Sequence, residues 1–144
     1  MTNEEFISYC EDYKKIIEEI FSTDDYNGKR LPKNKILQLI SNLSDLYKTN
    51  EEKVGDLMQY SQPMRTVIYE INNNLYHVSN DHYHFMNVDI PNINRLIVEK
   101  IYTFADKDKE IDYHLKKMDT RLTYVRGFID CYLTVANEFV RTRN

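Results

Sequence analysis

The most constraining feature of this 144-residue chain is a run of apolar residues near its C-terminal end. Ile111, Leu115, Met118, Leu122, Val125, Ile129, Tyr132, Ala136 and Phe139 are spaced 4-3-4-3-4-3-4-3, four heptads without a miss. Only an α-helix brings residues at that spacing onto one face, so the run predicts a long helix with a continuous apolar seam. A seam of this length must be covered. The expected cover is the rest of the chain, which makes this helix the spine of a bundle core. The alternative is that part of the seam meets another protein. Gly127 falls inside the helix, where it costs up to about 1 kcal/mol relative to Ala, and close packing of another helix against it is the expected compensation.

Helical spacing recurs upstream. Phe6, Tyr9/Cys10, Tyr13, Ile16/Ile17 and Ile20/Phe21 mark a first helix, opened by Thr2 and Glu5 at capping-box spacing. Ser22 to Pro32 reads as a loop with a turn at Asn27-Gly28. Ile36/Leu37, Leu39/Ile40, Leu43 and Leu46/Tyr47 mark a second helix. Thr49 and Glu52 repeat the capping-box spacing and predict a third, striped by Val54, Leu57/Met58, Ser61, Met64, Ile68, Ile71 and Leu75. Pro63 lies inside that stripe and predicts a break near Ser61-Gln62 with a fresh helix starting beside it. Residues 76–90 lose the period and are rich in His, Asn, Asp and Tyr, which predicts a long polar loop. Pro91 then opens a helix marked by Ile93, Leu96/Ile97, Ile101 and Phe104. Three glycines and three prolines suit long elements with short connections. The expected fold is all-α, a single helical domain over residues 1–144, with five to six helices and a long C-terminal one.

Charge and cysteine usage bound the setting. No stretch approaches the roughly 18 apolar residues of a membrane span, and the acidic start has no secretory pattern. Cys10 and Cys131 read as reduced, buried thiols of a cytoplasmic protein. The net charge is −4. Residues 1–28 hold eight acids and two lysines, a balance of −6, and the remaining 116 hold 17 bases and 15 acids, a balance of +2. That distribution excludes a strongly basic nucleic-acid binder and leaves room for a local basic face.

The familiar catalytic patterns are missing. The glycines at 28, 55 and 127 are isolated, so no phosphate-cradling loop forms, and no Gly-x-Ser-x-Gly elbow occurs. Glu18-Glu19 and Asp24-Asp25 are adjacent pairs, and neighbours on a helix do not face each other. No arginine among Arg30, Arg65, Arg95, Arg121 and Arg126 has a histidine four to six positions after it, unlike small helical ribonucleases. His77, Asp81, His82 and His84 are the one metal candidate, though their spacing defines no site, and a polar surface segment is the plainer reading. No cofactor is expected. Binding is therefore the expected mode of action.

Two basic features locate it. Lys29, Arg30, Lys33 and Lys35 bring four positive charges and no acid to a helix entrance, where free amides already favour phosphate. On the last helix, Tyr113, Lys117, Arg121 and Tyr124 share one face, an aromatic-flanked basic stripe suited to a nucleic-acid backbone. For both, the alternative is an ordinary solvated surface.

Three segments resemble the small helical subunit of type III-A CRISPR (Csm) effector complexes. Gly28 to Ile40 resembles that family's hydroxyl-rich, basic entry to a Leu-rich helix. Tyr60 to Asn74, with Met64-Arg65-Thr66-Val67-Ile68-Tyr69-Glu70, resembles its basic and apolar helix ending in Tyr-Glu. Tyr124-Val125-Arg126-Gly127-Phe128 through Phe139 resembles its aromatic C-terminal helix. Together they cover about half the chain. Departures are Pro32-Lys33 in place of the hydroxyl pair, Leu37 in place of an Arg, and Asn72-Asn73 in place of Gly-Arg. The resemblance implies a non-catalytic protein that self-associates along the effector, touching the guide–target RNA duplex through its backbone while neighbouring subunits cut. Lys33, Lys35, Arg65 and Arg126 are the positions it carries over. A helical protein-interaction module, such as an immunity, antitoxin or phage-encoded inhibitor protein, is the other reading of the same residues.

Overall fold

The structure is a computed structural model that describes residues 3–23, 28–51 and 62–143. The elements are α1 (Asn3–Ile20), α2 (Lys33–Glu51), α3 (Gln62–His84), a π turn (Phe85–Asp89), α4 (Ile90–Val98) and α5 (Phe104–Arg143). Among the described residues the only strand-like pairing is an isolated bridge, Thr23 with Arg30, which closes the connection from α1 to α2. Gly28 sits there at φ +66°, a conformation that a residue without Cβ adopts at no steric cost.

The all-helical class is as expected. Among the described residues the rods are fewer than the expected five to six helices, because α3, the π turn and α4 form one continuous helical run. The described residues form four rods, with α1 and α3 each packed against both α2 and α5. The core lies along the shared axis. The described seam of α5, from Ile111 to Ala136, is buried throughout, so the bundle covers it. It meets Phe6, Cys10, Tyr13, Ile17 and Ile20 of α1, Ile36, Leu39, Ile40 and Leu43 of α2, and Ile68, Ile71 and Leu75 of α3. Phe6 meets Tyr132 edge-on with ring centroids 4.9 Å apart, a favoured aromatic geometry.

The predicted loop over 76–90 is helix instead. Leu75, Val78, Ser79, His82 and Phe85 are buried and continue the i, i+3, i+4, i+7 pattern. The period was hidden because a serine and a histidine fill two of the inward positions. Pro91 does not open the next helix. Backbone angles remain helical at His84 (φ −60°, ψ −46°), Asp89 (−69°, −48°) and Ile90 (−62°, −48°), so the chain passes through without a break. Proline lacks the amide hydrogen that the preceding turn needs, and its ring crowds that turn's carbonyls. The helix widens by one residue just before it, with the Ile90 amide donating to the Phe85 carbonyl five residues back.

α4 ends at Val98, short of the predicted Ile101 and Phe104. The Lys100 amide donates to the Ile97 carbonyl and the Ile101 amide to that of Leu96, the two bonds of a Schellman stop. Lys100 takes the left-handed conformation there, at φ 62°. α5 starts at once. The Asp106 carboxylate accepts from the Thr103 amide, and the Thr103 hydroxyl accepts from the Asp106 amide. That reciprocal cap is spelled by the sequence at the usual spacing and went unrecognised there. Thr49, by contrast, is inside α2, its hydroxyl donating to the Asp45 carbonyl. Thr2, Glu52, the stripe from Val54 to Ser61 and the side chains of Pro63 and Phe139 lie outside the described residues. α3 is described from Gln62, and the break expected near Ser61-Gln62 lies at the edge of the described residues.

Two further expectations are corrected. Among the described residues no helix packs on Gly127; it is exposed, and a Cβ there would meet nothing within 4 Å. Cys131 is exposed and only Cys10 is buried. Burial pushes the Cys10 thiol well above its ordinary range. None of the described helices is long and apolar enough to cross a membrane.

Candidate functional site

The basic entrance to α2 is folded down onto α5. Arg30 donates from Nη1 and Nη2 to the two carboxylate oxygens of Asp119, each at 2.7 Å, a bidentate pairing about two-thirds buried. Its Nε donates to the Ile20 carbonyl at the end of α1. Lys33 reaches Asp112 at 2.7 Å, and this hydrogen bond and charge raise the lysine's pKa. Two guanidinium groups lie over the Phe21 ring, that of Arg30 at 5.2 Å and that of Arg126 at 4.8 Å from its centroid. The result ties α1, α2 and α5 together. Lys116 joins Arg30 and Lys33 around the same shallow depression.

The other predicted cations are dispersed. Lys35 is exposed on α2, about 200° around the helix from Lys33 at about 100° per residue. Lys29 is exposed in the loop before α2, and Arg65 is half-buried near the start of α3. Lys117 and Arg121 lie on the side of α5 that faces α3. Arg121 donates to the Asn74 side-chain carbonyl at 3.2 Å, and Lys117 is 3.9 Å from Asp81. Tyr113 and Tyr124, 70% and 60% exposed, flank them as the helical spacing predicted. The structure thus forms two basic groups on different sides of α5.

The acids that organise the first group were missed. Asp112 and Asp119 stand seven residues apart, each next to a seam position, as charges flanking a helical seam do. Asp130 plays the same part for α1, 2.9 Å from Lys14. Heptad-spaced acids beside an apolar seam were the available signal.

The histidines do not converge. His82 and His114 form a buried pair, Nδ1 of the former 3.0 Å from Nε2 of the latter, and His114 stacks on Phe85 at 3.9 Å between centroids. His77 is half-buried, and His84 is exposed beside Asp89. Among the described residues no three His, Cys, Asp or Glu side chains are grouped closely enough to hold a metal ion. Burial pushes both members of the pair down to about 4, and the facing His82 and Lys117 push His114 the same way. Both imidazoles are therefore neutral near pH 7, with one N–H shared between them.

A third feature is one that the sequence pattern did not signal. At the turn from α4 to α5, Val98, Ile101 and Phe104 are 81%, 63% and 74% exposed. The Schellman stop before them and the Thr103–Asp106 cap among them hold the turn in a single conformation.

No protein-family model, curated protein or solved structure matches this chain. What fold and surface define is a class: a helical bundle, of four rods among the described residues, with buried seams, an ion-paired basic entrance and an exposed apolar tip.

Proposed function

We propose that this protein is a non-catalytic binding module that docks a protein partner on the apolar tip between α4 and α5. The observation that carries the reading is the exposure of Val98, Ile101 and Phe104 within seven residues on a capped turn. Burying a side chain of this kind contributes roughly 1.5–3 kcal/mol relative to leaving it in water. A turn already fixed by its own hydrogen bonds loses little further entropy on binding, so more of that gain reaches the affinity. The partner surface is an apolar pocket. The test replaces Val98, Ile101 and Phe104 together by serine and compares capture of binding proteins by the native and substituted chains, with nuclease present. The native chain should retain a nuclease-resistant partner that the substituted chain, folded by circular dichroism, loses. Equal capture by both refutes the proposal.

A second reading has its own observation. Tyr113, Lys117, Arg121 and Tyr124 share one accessible side of α5 and suit the backbone of an RNA duplex, as the resemblance to CRISPR small subunits implies. Arg30 and Lys33 contribute less to such contact while Asp119 and Asp112 neutralise them. Charge reversal at Lys117 and Arg121 should weaken binding of an RNA duplex at low salt by at least tenfold. Unchanged affinity would remove this reading and leave the first intact.

A further inference from the structure

α3 carries a second heptad pattern, on its outer side. Tyr69, Asn73, Tyr76, Asn80, Tyr83 and Asn87 are spaced 4-3-4-3-4 and form one stripe that runs from α3 into the π turn. The three tyrosines are 56%, 46% and 61% exposed. Asn80 and Asn87 are exposed, and Asn73 is half-buried. No charged residue stands in the stripe, although 29% of the chain is charged. A helix face that meets only water has no need of three large rings, whereas the centres of protein interfaces are enriched in Tyr and depleted of Lys and Glu. Asn87 donates to the Tyr83 carbonyl, which leaves its own side-chain carbonyl able to accept.

The order of the stripe is its own complement. Read backwards, the spacing is again 4-3-4-3-4, and Tyr and Asn change places. A second copy laid antiparallel, about a two-fold axis level with Val78, pairs Tyr69 with Asn87, Asn73 with Tyr83 and Tyr76 with Asn80, each pair occurring twice by symmetry. Every level then sets a large ring against a small amide, and a phenol against a group that both donates and accepts. A parallel copy sets ring on ring and amide on amide. The flanking positions agree, with Glu70 beside His84 on one edge and Asn72 beside Met86 on the other, and no like charges meet. Charges bordering the stripe balance. Lys48, whose ammonium lies 5.3 Å from the Tyr83 centroid, stands with Asp45 on α2, and Lys117 of α5 stands with Asp81. A nucleic-acid strand needs an excess of cations that this face lacks. At roughly 150–250 Å² for a whole aromatic side chain, the exposed parts of six tyrosines supply about 600 Å² over two copies. With the amides and Met86 the area approaches the ~1,200 Å² of the smallest stable interfaces, so the pairing is weak.

We infer that two copies of this chain pair antiparallel through α3, with the Tyr–Asn stripe as the seam. Such a dimer carries its two apolar tips at opposite ends of the seam and presents two docking turns, a consequence that rests on the proposed docking role while the dimer itself does not. The test is analytical ultracentrifugation of the chain alone. The weight-average mass should rise from 17.3 kDa toward twice that as concentration increases from about 5 to about 500 μM, with a Kd on the order of 10–100 μM. Tyr76→Lys and Asn80→Glu, at outward positions and each shown to be folded by circular dichroism and its urea midpoint, should each weaken self-association at least tenfold. Their equimolar mixture should associate again, because the axis sets position 76 of one chain against position 80 of the other. A native chain still monomeric at the highest concentration overturns the inference. So does a dimer that both variants leave intact, a mixture that associates no better than either variant alone, or a dimer lost when Val98, Ile101 and Phe104 are replaced by serine.

Discussion

The His82–His114 pair makes the stability of this protein depend on mild acid. An imidazole takes up its proton at an ordinary value of 6.5, whereas burial holds both of these near 4 in the folded chain. Between those values the unfolded chain binds protons that the folded chain refuses, so stability falls as pH drops from about 6.5 to about 4 and is fully present above 6.5. Each group contributes on the order of 3 kcal/mol, from a difference of about 2.5 in pKa at 1.36 kcal/mol per unit, and the pair on the order of 6. A domain of this size has roughly 5–15 kcal/mol in all. Unfolding should therefore approach completion near pH 4 if the margin is at the low end. The assay is urea denaturation at intervals from pH 7.5 to 4.5, with the slope of each transition checked for constancy. The native chain should lose roughly 5 kcal/mol of extrapolated stability over that range, two groups across about two pH units at 1.36 kcal/mol per unit. A chain carrying His82→Gln and His114→Gln keeps neutral, hydrogen-bonding side chains and should lose far less. A native profile flat to within about 0.5 kcal/mol, or the same slope in both chains, refutes the reasoning.

Other outcomes follow from single residues. Gly127→Ala should stabilise the protein by about 0.5–1 kcal/mol, measured as a higher urea midpoint, because the added methyl meets nothing within 4 Å and the glycine's unfolded-state freedom is reduced. Thr103→Ala should lower stability by about 1 kcal/mol through loss of the reciprocal cap that opens α5, read in the same assay. Native protein should react with one equivalent of a thiol reagent at Cys131 and take up the second, at Cys10, only in denaturant, since one thiol is exposed and the other buried with its pKa raised. Rapid labelling of both in the native state would contradict the packing of α1.

Much of the helical class was legible because apolar period is a local signal. The seam from Ile111 to Ala136 and the stripes of α1 and α2 each repeat at helical spacing; the seam is buried throughout, and the stripes are buried but for Tyr9, Ile16, Phe21 and Leu46, which are partly buried against the core. The same logic failed at 76–90 for a physical reason. An inward position is defined by what packs over it, and Ser79 and His82 occupy such positions because a groove and a second histidine lie opposite them. A polar residue in an apolar slot breaks the pattern without breaking the helix. Pro91 misled similarly: one widened turn absorbs its missing donor, which a local rule about helix starts does not foresee.

The candidate sites divide along the same line. Which residues carry positive charge is a matter of sequence, and the stripe of Tyr113, Lys117, Arg121 and Tyr124 follows from helical spacing alone. Whether a cation faces solvent or a carboxylate depends on contacts across 89 positions for Arg30 and Asp119, and only the packed bundle decides that. The pairing of His82 with His114, 32 positions apart, and the outward turn of Val98, Ile101 and Phe104 were likewise decided by tertiary structure. Sequence by itself determined that the chain is helical and where its longest seam runs, because those depend on neighbours three and four residues away. Burial, neutral imidazoles and the exposed tip depend on which rods meet, and that is set by the packing of the whole bundle.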